Sequence, residues 1–143
     1  MEYSEIFENK SFSCVIEESV NDSLKDYLFR TDGQEDLAFA LWVPSFGEKR
    51  FTAIIKEVLF PLEGERQVHG NASFNYQYLL RACKLAQEQN YGVALLHSHP
   101  IASGWQEVST DDYDTESRSF INVQTITDKP FIGLTLASIS FIN

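Results

Sequence analysis

An α/β (α+β) sandwich, with a twisted and partly antiparallel sheet flanked by helices, is the fold class this sequence predicts. Three observations carry it. Apolar runs of strand length are interspersed with stretches of three- and four-residue apolar periodicity. Their order suits a mixed sheet better than a doubly wound nucleotide fold. The 143 residues are 43% hydrophobic and 13% aromatic, enough to bury one full core, so 1–143 reads as a single domain.

The elements follow in order. Residues Ser11 to Ile16 read as a first strand, and Ser19 to Phe29 as an amphipathic helix with Val20, Leu24, Tyr27 and Leu28 on its buried side. Thr31-Asp32-Gly33 ends it. Leu37 to Val43 and Phe51 to Leu59 read as two strands at the sheet centre, joined by a hairpin-like turn over Pro44 to Lys49. Asn75 to Gln89 is the clearest helix, with Tyr78, Leu79, Ala82, Cys83, Leu85 and Ala86 repeating at helical steps and Gly92 shortly after its end. Gly92 to Leu96 is a short buried strand, and Phe131 to Ser138 another. The chain stops on Asn143 directly after strand-like sequence, as the N-terminal part of a longer protein would.

Composition narrows the function. A formal charge of -10, with only eleven Lys and Arg, argues against a nucleic-acid surface, which needs clustered cations. The N-terminus lacks the basic and apolar regions of a signal peptide, and no apolar run approaches the ~20 residues of a membrane helix. Cys14 and Cys83 form no CxxC pattern, and the expected compartment is the reducing cytoplasm.

The chemistry concentrates at His97-Ser98-His99-Pro100, followed by Ser109-Thr110-Asp111-Asp112. Residues i and i+2 of a strand share a face, so both imidazoles can converge on one ion. Ser109 reads as the N-cap of a helix running toward Ile121, with Asp112 in its first turn. Taken alone, Ser-x-x-Asp before a helix is more often a capping box, and capping and catalysis are compatible in one serine. Two histidines and one carboxylate leave the fourth tetrahedral position for water, as in catalytic zinc sites. A zinc-dependent nucleic-acid deaminase would need a Cys-x-x-Cys that the chain lacks.

His97, His99 and Pro100 with Ser109 and Asp112 resemble the JAMM motif of the JAB/MPN metalloproteases. The resemblance covers roughly residues 12 to 140. The connection from Pro100 to Ser109 is eight residues here, about two more than is usual in that family. Asp112, rather than Asp111 or Asp114, keeps the Ser-x-x-Asp interval.

The resemblance implies an MPN/JAB (cytidine deaminase-like) architecture and one Zn2+ held by His97, His99 and Asp112. It also implies an upstream glutamate at a strand entrance, for which Glu35 fits the family pattern, with Glu57 second. In that family's chemistry Glu35 moves the proton of a zinc-activated water, and the Ser109 hydroxyl helps stabilise the oxyanion. The reaction implied is peptide or isopeptide hydrolysis after the C-terminal glycine of a ubiquitin-like protein. Val68 to Phe74 and Ser103 to Gln106 are similar to bacterial JAB domains found with ubiquitin-activating-type and conjugating enzymes, which makes such enzymes expected partners.

Other residues stay open. His69 and Trp105 have candidate substrate contacts set against ordinary loop roles, as do Asn71 and Ser73. The alternative to an enzyme is a catalytically silent MPN scaffold. Inactive members commonly lack a motif residue, whereas this chain retains all of them.

Overall fold

The computed structural model describes Tyr3, residues 10–99 and residues 110–137, giving only the backbone of 110–117 and 137. The elements are β1 (Ser11–Ile16), α1 (Glu18–Leu28), β2 (Leu37–Phe46), β3 (Arg50–Leu59), β4 (Arg66–His69), β5 (Asn71–Phe74), α2 (Tyr76–Gln89), β6 (Gly92–His99), α3 (Thr110–Thr127) and β7 (Ile132–Ala137).

Five strands form one mixed sheet in the order β1-β3-β2-β6-β7. The central β2 runs antiparallel to β3 and β6, while β1 and β7 lie parallel to β3 and β6 respectively. The fold is therefore a mixed α/β arrangement with a sheet flanked by helices, as the sequence predicts. Strands β4 and β5 make a separate hairpin. Where the sequence reads as a loop, this hairpin turns on Gly70 at φ 89°, a backbone that favours glycine.

Strand alternation divides the core. Leu37, Phe39 and Leu41 of β2, with Val93 and Leu95 of β6, pack against Tyr78, Leu79, Ala82, Cys83 and Ala86 of α2 and Val123 of α3. The alternate residues Ala40 and Trp42 of β2, with Ala94 and Leu96 of β6, pack against Leu24 and Leu28 of α1. Both faces of the sheet are thus covered, which explains why β2 reads as a continuous apolar run rather than an alternating one. Tyr78 ties the layers together: its hydroxyl donates to the Leu59 carbonyl and accepts from the Phe39 N–H at 3.1 Å.

Some boundaries differ from the sequence expectation. Pro44 to Phe46 belong to β2, so the turn to β3 is shorter than predicted. Proline is admissible there because β6 pairs with β2 only over Leu37 to Trp42, which leaves Pro44 bonded on the β3 side alone. Helix α2 keeps its expected span to Gln89; its C-cap is Asn90 at φ 58° rather than the glycine beyond it, and Asn75 caps its start by accepting from the Tyr78 N–H at 3.1 Å. Gly92 instead lies inside β6 under the Trp42 indole. Helix α3 extends to Thr127, six residues past the expected end.

Among the described residues no helix is long and apolar enough to cross a membrane. Cys14 lies on β1 and Cys83 on the buried face of α2, both free. Burial pushes both thiols up to about 11, so they stay protonated at neutral pH and are poor nucleophiles.

Candidate active site

Register places the site at one end of the seam between β2 and β6. Leu37 pairs with His97, and Ser98 N–H donates to the Asp36 carbonyl at 3.0 Å, which carries the antiparallel pairing one step further. The next step sets Glu35 against His99, and their side chains approach to 3.8 Å between Oε1 and Nε2. That separation exceeds a direct hydrogen bond but lies within ion-pair range. Two residues 64 positions apart are thereby brought together by strand pairing alone.

Alternation then decides which side chains face the chemistry. His97 shares the face of Val93 and Leu95, toward α2 and α3, and is 6% exposed. His99 and Glu35 lie further out along that face, with side chains 17% and 32% exposed, so the site grades from buried to accessible. Strand β7 supplies a neighbour that sequence reasoning missed: Thr135 pairs with His97, and its Oγ1 lies 3.1 Å from His97 Nε2. A hydroxyl on one ring nitrogen fixes the ring's orientation and the role of the other nitrogen. The available signal was the parallel pairing of β7 with β6.

Residues Asp36 and Ser98 face the opposite way, into the α1 layer. The Asp36 N–H donates to Ser98 Oγ at 3.0 Å, and Ser98 Oγ donates to the Leu28 carbonyl at the end of α1 at 2.8 Å. Both residues are at most 1% exposed. The Asp36 carboxylate is clamped by Arg30 and Arg66, each at 3.1 Å, and accepts from the Tyr27 hydroxyl at 3.3 Å. Burial, foremost, pushes the Tyr27 hydroxyl up to about 12, so it remains a donor. A solvated acid would be the ordinary reading of Asp36 beside Glu35. It is instead the hub that fixes where Glu35 leaves the sheet.

The hairpin holds Glu35 from its other side. Gln34 Oε1 accepts from the Gly70 N–H at 2.7 Å, and the Glu35 N–H donates to the Gly70 carbonyl at 3.2 Å. Of the open loop residues, Ser73 lines the cavity at the site. His69 is exposed and is not itself part of the lining, but its Nε2 lies 3.3 Å from the Oγ of Ser73. Asn71 is exposed at the start of β5. Glu57 is an exposed residue of β3, separated from β6 by the whole of β2, and does not line that cavity.

Two imidazoles sharing one tetrahedral zinc through bonds of about 2.0–2.1 Å have ring centroids about 5 Å apart. The centroids of His97 and His99 are 5.2 Å apart, with planes inclined at 54°. The pair fits zinc. Among the described residues no three His, Cys, Asp or Glu side chains complete a metal-holding group. The expected third ligand, Asp112, lies in the first turn of α3, and its side chain is outside the described residues. Ser109, Pro100 and Trp105 lie wholly outside them.

A cavity of about 380 Å³ opens at this site. Glu35, His97, Ser73, Arg118 and Ser119 form its polar wall, and Leu37, Phe74, Leu79 and Leu95 contribute its apolar lining. The two α3 residues were not singled out from sequence, because only the packing of α3 beside α2 brings them here.

Ser98→Ala is expected to unlink three elements at once, leaving a buried Asp36 N–H and a Leu28 carbonyl without this partner. The expected loss is about 1–3 kcal/mol in urea unfolding, with an unchanged denaturant slope. A loss under about 0.5 kcal/mol would show that the latch contributes nothing beyond an ordinary surface bond.

No family model matches the chain, and no curated protein is significantly similar to it.

Proposed function

We propose that this chain is a zinc-dependent amide hydrolase of the JAB/MPN type, an isopeptidase or peptidase acting after the C-terminal glycine of a ubiquitin-like protein. One observation carries the reading: β2 and β6 bring Glu35 to the two imidazoles, at one end of their seam beside a cavity.

His97 and His99 would hold the metal, with Asp112 as third ligand. When bound, zinc supplies an activated water and polarises a carbonyl oxygen. The chain's own residues do the rest. Thr135 orients the His97 ring from β7. Glu35 is exposed enough to meet water, yet its backbone is fixed by Gly70 and by the neighbouring Asp36–Ser98 latch. It accepts a proton from water as the oxygen attacks the amide carbon, then returns it to the departing nitrogen. The Ser109 hydroxyl is the proposed donor to the developing oxyanion. Ubiquitin-activating-type and conjugating enzymes are the proposed partners in a cytoplasmic conjugation system.

The test joins metal content to cleavage of a ubiquitin-like protein fused through its terminal glycine to a reporter. Wild type is expected to carry about one zinc per chain and to cleave the fusion. His99→Ala, at a partly exposed position, is expected to lose zinc and cleavage while keeping its circular dichroism. Undiminished zinc in that variant would rule out the ligand set. A wild-type chain that takes up no zinc and cleaves nothing would instead be a partner-binding scaffold.

A further inference from the structure

We infer that the cavity beside Glu35 and His97 seats the amine-side residue of the substrate, an apolar C-terminal residue whose free carboxylate pairs with Arg118. The inference rests on the amide-hydrolase reading and selects, within it, the processing of a precursor tail.

The argument begins with charge. Arg30, Arg66 and Arg81 are each held by an aspartate or glutamate. Arg118 is not, and it engages no partner among the described residues. It lines the cavity as an exposed guanidinium, within a chain whose formal charge is -10. Glu35 shares that cavity without forming an ion pair with it. A cation with no ion pair among the described residues, next to a carboxylate, suits a monoanion, whereas a phosphate dianion would meet repulsion from Glu35 and from the overall charge.

Shape and polarity narrow the occupant. The lining contributed by Leu37, Phe74, Leu79 and Leu95 is apolar, and the volume of about 380 Å³ is near the lower end for ligand pockets. Such a space admits one bulky residue together with its terminal carboxylate. Because the cavity touches Glu35 and His97, its occupant adjoins the reacting bond. An α-carboxylate exists only on a chain's last residue, so an occupant carrying one lies on the amine side of the scissile amide. Hydrolysis then balances as follows: water oxygen bonds to the carbonyl carbon, the carbon–nitrogen bond breaks, and Glu35 relays the water's proton to the nitrogen. The products are a shortened chain with a new carboxylate and a free apolar amino acid.

Calorimetric titration of the full chain with N-acetyl-L-phenylalanine, its neutral amide and phenyl phosphate tests the seat. The metal-free protein is used so that a carboxylate cannot report on zinc. The acid is expected to bind about tenfold tighter than the amide, as a charge-assisted pair at an exposed guanidinium allows, and Arg118→Met is expected to abolish that preference. Equal binding of acid and amide, a preference that survives Arg118→Met, no binding of the acid, or tighter binding of phenyl phosphate would overturn the seat. With zinc restored, a peptide ending in Gly-Phe is expected to be cleaved about tenfold faster, in kcat/KM, than the same peptide ending in Gly-Phe-amide. Cleavage of both at equal rates sinks the seat alone. A charge-dependent seat in a zinc-loaded protein that hydrolyses neither peptide nor fusion sinks the hydrolase reading.

Discussion

Glu35→Gln is expected to lower amide cleavage by about 10²–10⁴-fold, the usual contribution of a positioned proton-transfer group. Zinc content and thermal midpoint are expected to stay near those of wild type, because Glu35 is no part of the ligand set and is partly exposed. The glutamine keeps the volume and the acceptor carbonyl but cannot take a proton. The decline should fall on kcat rather than KM, since the group acts on the reacting water rather than on substrate binding. Single-turnover cleavage with zinc measured on the same samples checks this. Full activity in Glu35→Gln would transfer proton handling to another acid.

The largest expected effect on stability comes from Gly92. A Cβ built there would lie 2.1 Å from Trp42 Cε2, and the indole cannot yield easily: it is fully buried and its Nε1 donates to the Val93 carbonyl at 3.1 Å. Gly92→Ala is therefore expected to cost about 3 kcal/mol, at the upper end for overpacking. The cause is contact rather than backbone freedom, and a second background separates the two. In Trp42→Leu, itself destabilised by a cavity, adding Gly92→Ala is expected to cost less than about 1 kcal/mol, so that the pair is strongly coupled. Urea unfolding of the four proteins measures the coupling. An undiminished cost in the Trp42→Leu background would rule out the indole contact as the cause.

Much of this molecule was legible in its sequence where one signal dominated. The α2 stripe from Tyr78 to Ala86 repeats at helical steps, and those residues are its buried face. Ser11–Ile16 is a strand because its residues suit a pleated, half-covered edge. The pairing of His97 and His99 on one face followed from strand periodicity. Other features depend on partners distant in sequence. Pro44 is tolerated because β6 stops short of it, and no local pattern near Pro44 states where β6 ends. Strands β4 and β5 are four residues each, too short for an alternating signal to stand above a turn-rich stretch. Thr135, Arg118 and Ser119 reach the site through sheet order and helix packing, which a linear motif does not encode. Asp36 and Ser98 sat in plain view beside the motif residues, but only the α1 layer gives them their part.

The two-residue stride of β2 and β6 makes the catalytic face sensitive to reading frame. Inserting one residue between Asp36 and Leu37, or just before His97, would aim Asp36 or Ser98 at the cavity and drive the motif side chain into the helical layer behind the sheet. A two-residue indel at the same point would restore the original facing at a shifted position. Length changes within this seam therefore keep each side chain on its face only in even steps.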